Sequence, residues 1–175
     1  NWRRKSMNEK ISETTSTQDC TMVERKSDQE MVVTRIFDAP VRIVFEAWTK
    51  PELFRQWWVP KSFGLSLLSC EMDVRVGGRY RLEFGHLDFE RHMTFFGRYV
   101  EVIENARLVW TNEESEQGAV TTVTFQEQGG KTILKAHDLY PSKDALDSEI
   151  ASGATGGMNE TLDQLEAFIV TSVGA

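Results

Sequence analysis

Gly77-Gly78-Arg79-Tyr80-Arg81-Leu82-Glu83-Phe84 is the stretch on which the fold turns. A glycine pair tolerates positive φ and marks a tight turn. The residues after it alternate cleanly: Tyr80, Leu82 and Phe84 share one face, and Arg79, Arg81 and Glu83 the other. Such alternation describes a strand packed on one side and wetted on the other, as in an antiparallel sheet.

Reading outward, residues 65–76 form a strand leading into that turn. Gly85-His86-Leu87-Asp88 turns the chain into a long strand over residues 91–103. There Met93 and Phe95 share a face while Val100 and Val102 fall on the opposite parity, so Gly97 is the expected site of a bulge or bend that curves the sheet. Residues 107–111, 120–126 and 131–139 continue the series, the last two joined through Gln128-Gly129-Gly130. Thr121, Val123 and Phe125 make a clear inner face. The final strand leaves two inward sets open, Ile133 with His137 or Leu134 with Ala136.

Toward the N-terminus, Met31-Val32-Val33-Thr34-Arg35-Ile36-Phe37 is a β-branched strand broken by Asp38-Ala39-Pro40. Val41, Val44, Phe45 and Trp48 then recur at helical spacing. Pro51 opens a second short helix carrying Leu53, Phe54, Trp57 and Trp58, which Pro60 ends. Toward the C-terminus Ser142 is a helix cap, and Ile150, Ala154, Met158, Leu162, Leu165 and Ile169 recur at three and four. Gly153-Ala154-Thr155-Gly156-Gly157 interrupts that helix and weakens it by about 1 kcal/mol per glycine. The expected architecture is α+β, in the order β-α-α-β6-α. A curved antiparallel sheet of about seven strands wraps the long C-terminal helix, the only element large enough to cover its inner face.

That domain takes residues 29–175, and residues 1–28 read as a polar, unpatterned leader. Asn1 is no initiator, so Met7, Met22 and Met31 are the candidate starts. The leader has no central apolar run and reads as neither a secretory nor a transit peptide. The whole chain of 175 residues carries a net charge of −7. Residues 1–28 hold six basic and five acidic side chains, so the other 14 basic and 22 acidic ones give the domain −8. Such a surface repels phosphate backbones, which argues against nucleic acid as a partner. No run approaches the ~18 apolar residues of a membrane span. Cys20 in the leader and Cys70 in an apolar strand form no disulfide framework, which points to a reducing, cytoplasmic setting.

Several segments together resemble the activator of heat-shock-protein-90 ATPase homologue family. They are Ile36-Phe37-Asp38-Ala39-Pro40, Val44-Phe45-Glu46-Ala47-Trp48-Thr49, Pro51-Glu52-Leu53 and Trp57-Trp58-Val59-Pro60. Asp73-Val74-Arg75-Val76-Gly77-Gly78-Arg79-Tyr80, Gly97-Arg98-Tyr99-Val100-Glu101-Val102-Ile103 and Gly157-Met158-Asn159-Glu160-Thr161-Leu162-Asp163-Gln164-Leu165 continue the match. The resemblance covers about residues 30–170 and implies the START-like, helix-grip (SRPBCC, polyketide-cyclase-like) fold. Members of that superfamily bind lipids, polyketides and hormones or cyclise substrates. Family members often have Gly-Trp where Gly157-Met158 stands, so Met158 is expected to widen the space between helix and sheet.

The expected function is therefore binding of a small apolar, aromatic or lipid-like ligand between sheet and helix. Phe54, Trp58, Tyr80, Leu82, Phe84, Met93, Phe95, Trp110, Met158 and Leu162 are its expected lining, with Trp57 left to the core. The alternatives are a co-chaperone-like interaction protein and a cyclase-like enzyme, and a chaperone or second copy of the chain stays open as partner. No catalytic residue, cofactor or metal site is expected: His86, His92 and His137 lack ligand spacing, and the clearly inward positions offer one phenol but no carboxylate or imidazole. His86 reads as solvated in a turn, while His92 and His137 keep their orientation open. Asp73 and Arg75 read as a solvated pair fixing the hairpin, and Cys70 as a small buried hydrophobe.

Overall fold

The computed structural model describes residues 21–86, 92–153 and 157–173. The expected positions Cys20, Leu87, Asp88 and Ala154, and residues 1–20 of the leader, lie outside them. The strands are β1 (Met22–Arg25), β2 (Glu30–Phe37), β3 (Ser66–Met72), β4 (Arg79–Gly85), β5 (His92–Ile103), β6 (Arg107–Thr111), β7 (Val120–Gln128) and β8 (Lys131–Leu139). The helices are α1 (Val41–Thr49), α2 (Pro51–Phe54), α3 (Lys143–Ala151) and α4 (Gly157–Val173).

All strands join one antiparallel sheet in the order β1-β2-β8-β7-β6-β5-β4-β3. Among the described residues the sheet has eight strands, one more than the seven or so expected. The extra one comes from the end of the leader: β1 pairs with β2 from Met22 against Thr34 to Arg25 against Met31. Its side chains are all exposed, so backbone pairing holds it and no apolar pattern announces it.

The sheet curves where the expected irregularity occurs, but not at Gly97. Tyr99 opposes Trp110 and Glu101 opposes Val109, so the extra residue is Val100. The parity change between Phe95 and Val102 is thus real and falls three residues later. Gly97 serves a close approach instead: a Cβ there would lie 2.0 Å from the Thr111 carbonyl oxygen and 2.9 Å from the Tyr80 hydroxyl. Parity of β8 is settled by its neighbours. Leu134 opposes Phe125 and Ala136 opposes Val123, so these face inward with Asp138, and Ile133 and His137 face out.

The C-terminal helix is two helices. Ser142 caps α3, its hydroxyl accepting from the Ala145 N–H at 3.1 Å. Gly153 follows α3 in the left-handed region at φ 78°, where glycine bears no Cβ penalty. Ile150 is exposed, so the buried stripe does not run unbroken from it to Ile169.

Described apolar side chains gather in two clusters. The larger joins α1, α2 and α4 to the sheet through residues such as Trp48, Trp57, Leu108, Val123 and Leu162. The smaller packs Met31, Ala119, Tyr140, Ala145 and Leu146 under α3. One polar side chain also spans sheet and helix. Arg35 of β2, buried among apolar neighbours, pairs with Asp163 and Glu166 of α4 and donates to the Thr21 hydroxyl at 3.0 Å. Burial opposes its charge, but the two carboxylates outweigh that and raise the pKa of the guanidinium.

Candidate functional site: a hollow between sheet and helices

Between the concave sheet and the helices lies a hollow of about 810 Å³. It borders both clusters, touching Trp48, Val123 and Ala136 of one and Ala119, Tyr140 and Ala145 of the other.

The aromatic wall begins at the loop after α2. Phe54 and Trp58 stack with centroids 4.7 Å apart, while Trp57 turns into the core and donates its indole N–H to the Ala47 carbonyl at 3.0 Å. Helix α4 fixes that loop by its backbone. Gln164 donates to the carbonyls of Trp57 and Val59 at 2.9 and 2.8 Å, and Thr161 donates to that of Trp58 at 3.2 Å. Glu160 accepts from the Ser62 N–H at 2.9 Å, and this with the Ser62 hydroxyl holds its carboxyl below the ordinary range.

The sheet supplies the opposite wall. Tyr80, Leu82 and Phe84 project inward from β4, and Phe84 meets Phe95 edge to face at 5.1 Å. The absent side chain at Gly97 lets the Tyr80 hydroxyl donate to the Thr111 carbonyl at 2.6 Å, which pins that ring across the wall. Burial raises the Tyr80 and Tyr99 phenols, so both stay neutral. Met93 and Phe95 are 48% and 37% exposed, and with Phe63 they make an apolar rim.

Of the expected lining, Phe54, Trp58, Tyr80, Leu82, Phe84, Met93, Phe95, Trp110 and Met158 all border the hollow. Leu162 does not: it is fully buried in the larger cluster, and Thr161 takes the lining position on that turn. The inner face is also less purely apolar than alternation suggests. Asn112, Asp138, Tyr140 and Glu149 line the end beneath α3, so carboxylates join the one phenol of the positions read as clearly inward. Burial pushes the Asp138 carboxyl up, partly countered by the Thr121 hydroxyl that donates to it at 2.6 Å. Burial likewise raises Glu149, with Glu114 adding to it.

The histidines are elsewhere. His137 bonds Glu30 on the outer face at 2.8 Å and lowers that carboxyl; His92 bonds Glu83 outside at 2.9 Å. His86 is half-buried beside Gly64 rather than solvated. Arg75 and Asp73 form the exposed hairpin pair at 2.8 Å, and burial raises the Cys70 thiol, which keeps it protonated. Among the described residues no group of His, Cys, Asp and Glu is arranged to hold a metal ion, and no helix is long and apolar enough to cross a membrane.

A curved antiparallel sheet closed over by a C-terminal helix, with a hollow between them, defines a helix-grip protein of the START-like kind. Its family follows from the sequence: residues 38–169 match the model described as Activator of Hsp90 ATPase homolog 1-like protein, and the chain belongs to that family. Solved structures agree on the fold. A Rhodobacter sphaeroides protein is 21% identical over 86% of this chain and 97% of its own, with a TM-score of 0.78. A Staphylococcus epidermidis protein is 27% identical over 86% and 94%, at 0.72. An Aeromonas hydrophila protein described as AHSA1-like is 20% identical over 82% and 94%, at 0.65. No curated protein matches the chain.

Proposed function

We propose that this protein binds a small apolar or aromatic molecule in the hollow between sheet and helices. The observation that carries the reading is the hollow itself: about 810 Å³ walled by Phe54, Trp58, Phe84, Phe95 and Trp110, a size that suits a ligand rather than trapped water. Membership of the START-like superfamily supports it, and the exposed Met93 and Phe95 at the rim supply an apolar entrance. Trp58 and Trp110 make the binding visible by quenching of their fluorescence. Native mass spectrometry against a panel of lipids, polyketides and aromatic amphiphiles is expected to yield complexes. Met158→Trp, which fills part of the space, is expected to weaken them at least about tenfold. If no member of the panel binds more tightly than ~100 µM, the reading fails.

One observation favours a second reading, a cyclase-like enzyme. The half-buried Asp138 carboxyl, raised by burial, opens into the hollow as the kind of group an acid–base step requires. Turnover of a polyketide-like substrate that is lost in Asp138→Asn while binding persists would establish it. Binding without turnover by the parent protein removes it.

A further inference from the structure

We propose that the ligand of the hollow carries a protonated amine, seated at the end formed by Asn112, Asp138, Tyr140 and Glu149. The proposal rests on the binding reading above and deepens it.

Hydrogen-bond direction is the first ground. Asn112 spends both amide hydrogens on the protein, one on the Ala119 carbonyl at 2.7 Å and one on the Thr121 hydroxyl at 3.0 Å. Thr121 passes its own hydrogen to Asp138. Tyr80 directs its hydrogen to the Thr111 carbonyl. The chain from Asn112 through Thr121 to Asp138 consumes donors: the Asn112 side-chain oxygen lies 3.2 Å from the Tyr80 hydroxyl, whose one hydrogen also serves Thr111, and the second Asp138 oxygen is left as an acceptor. A guest that brings N–H groups finds partners here. A guest that brings only lone pairs finds few.

Charge is the second. Glu114, Asp138 and Glu149 line the hollow, whereas no described lysine, arginine or histidine does. None of the three carboxylates takes part in an ion pair among the described residues. Beyond the effect of burial, Glu149 raises Asp138 and Glu114 raises Glu149, while His137, on the outer face of the sheet, offsets part of the effect at Asp138. An ammonium relieves that repulsion and a carboxylate head group adds to it.

Tyr140 is the third ground and is independent of the acids. Its side chain is only 8% exposed and borders the hollow, yet its hydroxyl has no hydrogen-bond partner among the described residues. A hydroxyl left open at the wall of the hollow, and not sealed from it, is available to a partner that arrives from outside the chain. With Asp138 and Glu149 it offers a third contact to an ammonium, which has three hydrogens to place. The aromatic wall toward Trp58 and Phe84 then receives the body of the molecule.

The test compares three probes that share a body and differ at the head: phenylbutylamine, phenylbutanol and phenylbutanoate, titrated calorimetrically at pH 7. The amine is expected to bind at least about tenfold more tightly than the alcohol, with the acid weakest. Asp138→Asn and, separately, Glu149→Gln are expected to remove most of the amine's advantage, read as the ratio of amine to alcohol affinity within each folded variant. Those variants separate the site from the general attraction of an acidic protein for cations. Equal binding of amine and alcohol, tighter binding of the acid, or an amine advantage untouched in both folded variants overturns the inference and leaves the binding reading standing. Failure of all three probes, alongside failure of the wider panel, overturns both.

Discussion

Arg35 divides the cost of its ion pairs unequally, and that inequality can be measured. Its side chain is 1% exposed, whereas its partners Asp163 and Glu166 are 62% and 33% exposed. Replacing Arg35 with Leu removes a charge that burial opposes and leaves two carboxylates that water can reach. Loss of two charge-assisted bonds is then largely offset by relief of desolvation, for a net cost of about 1 kcal/mol. Removing both acids with Asp163→Ala and Glu166→Ala instead takes the two α4 carboxylates from a buried guanidinium that keeps its bond to the Thr21 hydroxyl. That arrangement costs about 3–5 kcal/mol. Adding Arg35→Leu to the double variant should recover most of the loss, because no buried charge remains. Urea unfolding reads these differences: at a slope of ~2 kcal/mol per molar, the double variant should lose roughly 2 M in midpoint and the triple variant regain over half. A double variant no less stable than Arg35→Leu would refute the reasoning and show that water reaches the guanidinium once α4 loosens.

Three further outcomes follow from the site. Asp138 is raised by burial, so between the unfolded and folded pKa values the folded state holds the extra proton and stability falls as pH rises. Asp138→Asn removes that loss, and its melting temperature relative to the parent should climb between pH 4 and pH 7; a flat difference would contradict the assignment. Gly97→Ala drives a Cβ onto the Thr111 carbonyl, which should cost about 3 kcal/mol and free the Tyr80 phenol, seen as a shifted tyrosine ultraviolet spectrum. Leu162→Ala, in the larger cluster rather than in the hollow, should destabilise by about 2–5 kcal/mol while ligand affinity in the surviving folded fraction is unchanged.

What the sequence discloses depends on whether one segment carries enough contrast. Tyr80, Leu82 and Phe84 against Arg79, Arg81 and Glu83 announce both strand and face, and the inward set stands as expected. The final strand lacks that contrast, because Ile133 and Leu134 are equally apolar. Only pairing across to Phe125 and Val123 settles which way Asp138 points. Hence the aromatic wall was legible and its acidic end was not. The curvature at Val100 is a property of two strands, visible in the slip between Tyr99 and Glu101 against β6, whereas Gly97 draws attention for a reason that concerns contact with Thr111. Strand β1 shows the same limit, since backbone pairing leaves no mark on side-chain pattern. Thr161 and Gln164 act on the carbonyls of the tryptophan loop, partners that no spacing within α4 reveals.

The two apolar clusters on either side of the hollow bear on how the molecule comes apart. Trp48 and Val123 anchor one side; Tyr140, Ala145 and Leu146 hold α3 on the other. With little packing between them, α3 can detach without breaching the larger cluster, so its amides should exchange with solvent through a local opening cheaper than global unfolding. A guest that touches both sides changes this. It adds contacts that are lost whichever cluster opens first, and stabilises the closed state by RT ln(1 + [L]/Kd). Exchange protection in α3 would then rise toward that of the sheet, and two opening events would merge into one.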